Sequence, residues 1–192
     1  MGDSYLANAV IYLVDTVAGL YLIAVILRFL LQLLRADFYN PLSQFVVNIT
    51  NPPLRPLRRF IPGFRGLDIA SLTLAFIVAT IKLLIISTIA GITLNLASTI
   101  LLSIADILQT TVYIFIFITI ARAVLSWFQQ GGQNPIERLL SSLSEPLLKP
   151  LRRILPELGG LDFSPFALII LLTLILKLIV KPITDSGYMM LL

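Results

Sequence analysis

Asn51-Pro52-Pro53-Leu54-Arg55-Pro56-Leu57-Arg58-Arg59-Phe60-Ile61-Pro62 is a stretch in which prolines and arginines are interleaved with apolar residues. It returns 94 positions later as Glu145-Pro146-Leu147-Leu148-Lys149-Pro150-Leu151-Arg152-Arg153-Ile154-Leu155-Pro156. From Pro52 to Asp68, 10 of 17 positions are identical to positions 146–162 without a gap. A duplication at a constant offset indicates that one structural module occurs twice in the chain.

The composition places both copies in a membrane. Of the 192 residues, 58% are hydrophobic and only 12% are charged, and the mean hydropathy is +0.97. A soluble domain carries about 25% charged residues, and a spanning helix needs about 20 apolar ones. We therefore predict an all-α polytopic membrane protein with four transmembrane helices in two tandem parallel repeats. Each repeat should have a proline-bent amphipathic interfacial helix between its two spans.

The apolar runs set the boundaries that we expect. The first repeat is residues 1–90, with spans at about 5–33 and 69–90 and an interfacial segment at about 40–62. An apolar link at 91–102 should form a short helix at the far interface. The second repeat is residues 103–192, with spans at about 103–128 and 165–180 and an interfacial segment at about 134–156.

Polar residues and prolines mark the predicted helix ends. Asn40, Asn134 and Asp68 are expected to cap helices, and either Asp162 or Ser164 should cap the fourth span. Proline lacks a backbone donor. We therefore expect Pro52-Pro53 to break the first interfacial helix and Lys181-Pro182 to close the fourth span.

Topology follows from the basic residues, since cytoplasmic loops are enriched in Lys and Arg. Between Lys82 and Arg122 there is no basic residue, whereas the segments after the first and third spans are basic. Both basic segments should therefore face the cytoplasm, with both termini periplasmic. The first basic residue is Arg28, so the positive region of a signal peptide is missing and the first span should be retained.

The repeated stretch predicts a basic amphipathic helix at the membrane surface, with apolar residues on one side and cations on the other. One interpretation is a binding site for anionic lipid or a protein partner. The alternative is an anchor that only fixes orientation. The candidate residues for lipid or partner binding are Arg55, Arg58, Arg59, Lys149, Arg152 and Arg153.

Charges near the cytoplasmic ends of the spans repeat at the same spacing. Arg28 and Asp68 are 40 residues apart, and so are Arg122 and Asp162. Because the two members of each pair lie at matching depth, we predict an ion pair within each copy that fastens the hairpin.

Four further charges lie deeper in the spans. Asp15 and Lys82 are each about 20 Å from the cytoplasmic level at 1.5 Å per residue, and Asp106 and Lys177 about 22–24 Å. We predict Asp15–Lys82 and Asp106–Lys177 pairs, which are candidates for a relay or ion path. In the alternative, the lysines extend to the interface and the aspartates reach interfacial water.

The chain resembles the YggT family of bacterial integral membrane proteins, also called YlmG-like, in its two-copy form. The resemblance covers nearly the whole chain. It rests on Asp37-Phe38-Tyr39-Asn40-Pro41, Pro56-Leu57-Arg58-Arg59, Ser126-Trp127, Asn134-Pro135-Ile136-Glu137, Pro150-Leu151-Arg152-Arg153-Ile154-Leu155-Pro156 and Gly160-Leu161-Asp162-Phe163-Ser164-Pro165. It implies a location in the bacterial inner membrane. It also implies links to osmotic and potassium-ion stress, to cell division and nucleoid distribution, or to haem maturation in plastids.

The residue types favour a protein that is not an enzyme. The sequence has no cysteine and no histidine, which removes thiolate nucleophiles, the usual base and direct histidine ligation of haem. We expect no catalytic residue, no metal and no cofactor. The leading hypothesis is a scaffold or assembly factor that contacts anionic lipid, with a membrane-protein partner or a second copy left open and no nucleic acid. The alternative is an ion or solute conductor formed by an oligomer.

Overall fold

The computed structural model describes residues 2–63, 66–128, 135–155 and 162–191. These residues are mostly helical because long apolar stretches satisfy their backbone polar groups internally when they fold as helices. The helices are α1 (Gly2–Leu33), α2 (Pro41–Phe60), α3 (Ile69–Ala90), α4 (Leu96–Phe128), α5 (Pro135–Ile154), α6 (Ser164–Ile175) and α7 (Lys181–Met189). A π-helical turn, Leu176–Val180, joins α6 to α7.

In the described part of the chain, four helical segments are long and apolar enough to cross a membrane. Their spans are Tyr5–Leu33, Ile69–Ala90, Leu96–Leu125 and Ser164–Met189. Only 17% to 28% of the residues in their most apolar windows are buried inside the protein. Such a large exposed apolar surface needs lipid around it, so the all-α polytopic class predicted from the sequence is confirmed.

Small residues bring α3 close to α1. Ala70, Ala75 and Ala79 of α3 are buried in one cluster with Leu22 and Val25 of α1. Apolar side chains gain no hydrophobic driving force against lipid, so membrane helices associate through close packing at small residues. The same cluster includes buried side chains of α2, α4 and α5, so the core joins both repeats.

A hydrogen bond joins the two repeats at the starts of their amphipathic helices. The Asn40 side-chain amide donates to the carbonyl oxygen of Pro135 at 2.6 Å, beside the starts of α2 and α5. The two amphipathic helices therefore start beside each other, as expected for parallel repeats.

Three of the predicted capping residues, Asn40, Asp68 and Asp162, are among the described residues. Asn40 caps α2 by accepting from the Leu42 N–H, and Asp68 caps α3 by accepting from the Ser71 N–H, so both predictions are confirmed. Asp162 accepts from the Ser164 N–H at the start of α6. Asn134 lies outside the described residues.

The link between the repeats is shorter than predicted. Gly91, with φ of +70°, ends α3 in the left-handed conformation that glycine adopts without a Cβ clash. Asn95 then accepts from the Ser98 N–H, and α4 continues without interruption from Leu96. The separate helix expected at 91–102 was wrong, because Asn95 starts the third span directly.

Prolines do not end the helices where the sequence suggested. Helix α2 continues through Pro52-Pro53 to Phe60. Pro52 and Pro56 are exposed, so the backbone carbonyls that lack a helical donor can turn toward the polar side of the interface.

The fourth span also continues beyond Lys181-Pro182. The Lys181 N–H bonds to the Leu176 carbonyl oxygen, five residues back. This wider turn makes room for the Pro182 ring within a continuous helical segment that reaches Met189.

Candidate functional site

Helices α2 and α5 present the same amphipathic pattern. Leu54 of α2 and its repeat equivalent Leu148 of α5 are 0% and 1% exposed, which anchors each helix to the bundle. Four cations on the opposite sides are exposed, and none pairs with a carboxylate in the described part of the chain. We call these four residues the cationic collar: Arg55, Arg59, Lys149 and Arg153.

The remaining arginine of each helix is an internal contact. Arg58 Nη2 donates to Asp68 Oδ2 at 2.5 Å, and the equivalent Arg152 Nε donates to Asp162 Oδ2 at 2.8 Å. Each contact ties an amphipathic helix to the start of the span that follows it. Arg58 and Arg152 are thus each engaged by a carboxylate of the chain, unlike the four collar cations.

These contacts correct two predicted pairs. Asp68 does not pair with Arg28, and Asp162 does not pair with Arg122. Matching depth alone suggested those pairs. Depth does not show that α2 and α5 lie beside the starts of the following spans. There Arg58 and Arg152 contact the two aspartates.

The pKa values of Asp68 and Asp162 are both lowered. Burial alone would raise the pKa of Asp68, but hydrogen bonds from Arg58 and Ser71 bring the pKa below its usual value. Desolvation of Asp162 is likewise outweighed by hydrogen bonds from Ser164 and Arg152, so its pKa is also lowered. Both carboxylates are therefore held in the ionised form that pairs with arginine.

Glu145 of α5 joins two arginines in the second repeat. Its carboxylate contacts Arg122 Nη1 at 2.8 Å and Arg152 Nη1 at 2.8 Å. Arg122 Nη1 also donates to Ser144 Oγ at 2.9 Å. The sequence reading missed Glu145, although it precedes Arg152 by seven residues, two helical turns on the same face.

Arg28 has a different environment from Arg122, its equivalent. The side chain is buried, and its guanidinium lies 5.5 Å from the centre of the Phe38 ring. Both Arg58 and Asp68 act on it electrostatically. Its Nε and Nη1 atoms have no hydrogen-bond partner among the residues that the structure describes.

Deep in the spans, Lys82 lies between two carboxylates. Its Nζ is 3.2 Å from Asp15 Oδ1 and 2.9 Å from Asp106 Oδ2. The predicted Asp15–Lys82 contact is therefore present in the structure. The predicted Asp106–Lys177 pair was wrong, because α3 packs on α4 and brings Lys82 to Asp106, while Lys177 is exposed.

A second polar contact supports the α3–α4 junction. Thr80 Oγ1 and Ser103 Oγ are 3.0 Å apart, one on each helix. Hydrogen bonds of this kind add to packing between helices in a membrane. The intramembrane charges and hydroxyls thus connect α1, α3 and α4 and tie the first repeat to the second.

The fold and these sites define a polytopic membrane protein of two tandem repeats, each carrying a cationic amphipathic helix. Comparison with known sequences agrees with this class. The chain belongs to the CCB3/YggT family, whose sequence model matches residues 7–89 and again residues 101–183.

Individual relatives match over almost their whole length. A Pseudomonas aeruginosa protein designated PA0392 is 44% identical over 178 residues, which is 92% of this chain and 90% of the relative. The YggT protein of Escherichia coli K12 is 39% identical over 185 residues, 96% of both chains. A Haemophilus influenzae relative is 38% identical over 159 residues, 83% of this chain and 84% of the relative. No solved structure matches the chain significantly.

Proposed function

We propose that this protein is a non-enzymatic scaffold or assembly factor of the bacterial inner membrane. Its cationic collar would lie at the cytoplasmic surface and hold anionic lipid or a protein partner. The observation that carries this proposal is the set of four exposed cations on α2 and α5, which have no carboxylate partner in the described residues. Cations at the level of the headgroups attract anionic lipid by about 1 kcal/mol each.

The neighbouring arginines support a division of roles. Arg58 and Arg152 are held by Asp68 and Asp162, so the two amphipathic helices are fixed in place. The Asn40–Pro135 hydrogen bond also brings the starts of these helices together, which supports a common cationic surface. A fixed surface of this kind suits an assembly role. The protein would then act only indirectly in osmotic or potassium-ion stress, or in cell envelope and division processes.

Three double variants test the collar. Arg55→Gln/Arg59→Gln and Lys149→Gln/Arg153→Gln each remove two collar charges, whereas Lys177→Gln/Lys181→Gln removes two exposed charges elsewhere. The measurement is the enrichment of phosphatidylglycerol around the protein in polymer nanodiscs cut from mixed membranes, together with recovery of crosslinked proteins. The first two variants should lose enrichment or crosslinked partners, and the third should not. Equal behaviour of all three would contradict the proposal.

A second candidate function is an ion or solute conductor, which the Asp15–Lys82–Asp106 contact favours. Charges inside a membrane are costly and often line a path. Against this, the hydroxyl groups of Thr73 and Thr119 already donate to carbonyl groups of their own helices. Flux into liposomes that contain the purified protein distinguishes the two. Flux above that of empty vesicles, abolished by Lys82→Met, would favour the conductor.

A further inference from the structure

Arg28 of α1 is a buried cation with unmade hydrogen bonds. It is 7% exposed, and its Nε and Nη1 atoms have no partner in the described part of the chain. A buried charged group without hydrogen bonds costs free energy that a bound anion can recover. The Phe38 ring covers the guanidinium on one side but offers no hydrogen-bond acceptor of the strength that its N–H groups require.

The second repeat shows what such an arginine binds. Arg122, the equivalent of Arg28, pairs with Glu145. The equivalent of Glu145 in the first repeat is Asn51, which carries no charge. A carboxylate is therefore missing at the position where the second repeat has one.

Counting charges gives the same result. In the second repeat, Arg122 and Arg152 contact the two carboxylates of Glu145 and Asp162. The equivalent residues of the first repeat are Arg28, Arg58 and Asp68, and the Asp68 carboxylate acts on both arginines. The two arginines of this cluster thus share one carboxylate, whereas their equivalents in the second repeat contact two.

The surroundings indicate the kind of anion. Arg28 lies five residues before the end of α1, at the level of the amphipathic helix α2. Phe38, whose ring lies beside the guanidinium, and the next residue, Tyr39, are both exposed. Aromatic side chains at this level are typical of the membrane interface, where phospholipid headgroups lie. Arginine forms paired hydrogen bonds with phosphate oxygens.

We propose that the first repeat binds one phosphate group at Arg28, supplied by an anionic phospholipid headgroup, in the place that the Glu145 carboxylate takes in the second repeat. Arg58, which is partly exposed and acts on Arg28, is the second cation of this site. The site goes beyond the collar, since neither Arg28 nor Asn51 belongs to the four exposed cations. It makes the two repeats functionally unequal, since Glu145 pairs with the arginine of the second repeat and the first repeat has Asn51 at that position.

Asn51 offers a direct test. Asn51→Glu supplies the missing carboxylate from within the chain, and Asn51→Gln is the matched control that adds the same length without charge. The full-length protein is purified in uncharged detergent, and bound phosphatidylglycerol is counted by native mass spectrometry during titration. One tightly bound lipid is expected for the wild type and for Asn51→Gln. Asn51→Glu should bind it at least about tenfold more weakly, as expected for the loss of a charge-assisted contact.

Glu145→Gln is the converse variant. It frees Arg122 and Arg152 from their shared carboxylate, so the protein should bind a second phosphatidylglycerol. If Asn51→Glu does not fold, Glu145→Gln still tests the phosphate site. Absence of a second lipid in Glu145→Gln, or unchanged lipid binding in folded Asn51→Glu, would overturn the proposal.

A second titration identifies the source of the phosphate. Inorganic phosphate is added to lipid-free micelles, and protection against thermal unfolding is compared between the wild type and Asn51→Glu. Protection of the wild type alone shows that the site accepts free phosphate. Lipid binding without such protection assigns the phosphate to a lipid headgroup. If the wild type shows neither lipid binding nor protection by phosphate, the proposed site is overturned. Arg55→Gln/Arg59→Gln should retain the single bound lipid. Failure of the collar proposal can therefore be told apart from failure of the Arg28 site.

Discussion

Arg58 contacts Asp68 across the junction between α2 and α3, and the same contact recurs 94 residues later. Asp68 also caps α3 through the Ser71 N–H, so one carboxylate both starts a span and holds the preceding amphipathic helix. The recurrence indicates that this contact is part of the repeated module. The difference between the copies is burial, since the Asp68 side chain is 4% exposed and that of Asp162 is 43% exposed.

Asp68→Asn should destabilise the protein more than Asp162→Asn. Asparagine keeps the size and the ability to cap a helix, so each variant removes mainly the charge. We expect a loss of about 2 kcal/mol in the free energy of unfolding at the buried site and below about 1 kcal/mol at the exposed one. Unfolding in mixed micelles with increasing dodecyl sulfate measures both. Equal losses would show that burial does not set the strength of this contact.

Acid should weaken the Arg58–Asp68 contact. The folded pKa of Asp68 lies below its unfolded value, which is about 3.9 for an aspartate. Its contribution to stability is therefore complete above the unfolded pKa and is lost as the pH falls through the folded pKa. The melting temperature should fall below about pH 4, and this part of the decline should be smaller in Asp68→Asn. Parallel curves for the wild type and the variant would assign the decline to other groups.

Lys82→Met should disrupt the junction between the repeats. The substitution leaves the Asp106 side chain, which is 27% exposed, without its cation, and it also removes the contact with the more exposed Asp15. Breaking a largely buried ion pair costs about 3 kcal/mol, whereas Lys177→Met at an exposed lysine should cost below about 0.5 kcal/mol. Unfolding in mixed micelles again provides the comparison. Similar costs for the two lysines would contradict the importance of the Lys82 contacts.

Asn40 has two separable roles, as the cap of α2 and as the donor to Pro135. Serine can still cap a helix but is too short to reach Pro135, so Asn40→Ser removes only the contact between repeats. We expect Asn40→Ser to cost about 1 kcal/mol and Asn40→Ala about 2 kcal/mol, because alanine also loses the cap. Thermal unfolding in detergent measures the difference. If Asn40→Ser melts like the wild type, the Asn40–Pro135 bond contributes nothing to holding the repeats together.

The sequence predicted the architecture because its strongest signals are long-range and repeated. Apolar length identifies spans, and the constant offset identifies equivalent residues, so the Asn40 and Asp68 caps could be named in advance. Proline was the weak signal, since Pro52 and Pro182 end helices in water but continue here within longer helical segments. Membrane helices tolerate such prolines when neighbouring groups or wider turns adjust the backbone.

The charge pairs were harder to predict because depth gives only one coordinate. Depth placed Asp15 near Lys82, and these residues are in contact. It could not show which face of a helix meets which neighbour, so Asp106 was assigned to Lys177 when α3 in fact brings Lys82 to it. Glu145 was missed for a related reason, since its partner Arg122 belongs to another helix.

The central claim is that both amphipathic helices lie on one side of the membrane. The sequence has no cysteine, so Arg55→Cys, Lys149→Cys and Thr93→Cys each introduce a single thiol. A membrane-impermeant maleimide is applied to inside-out and right-side-out membrane vesicles. We predict that Arg55→Cys and Lys149→Cys react only in inside-out vesicles and that Thr93→Cys, in the link between α3 and α4, reacts only in right-side-out ones. Reaction of Arg55→Cys and Lys149→Cys from opposite sides would contradict the account.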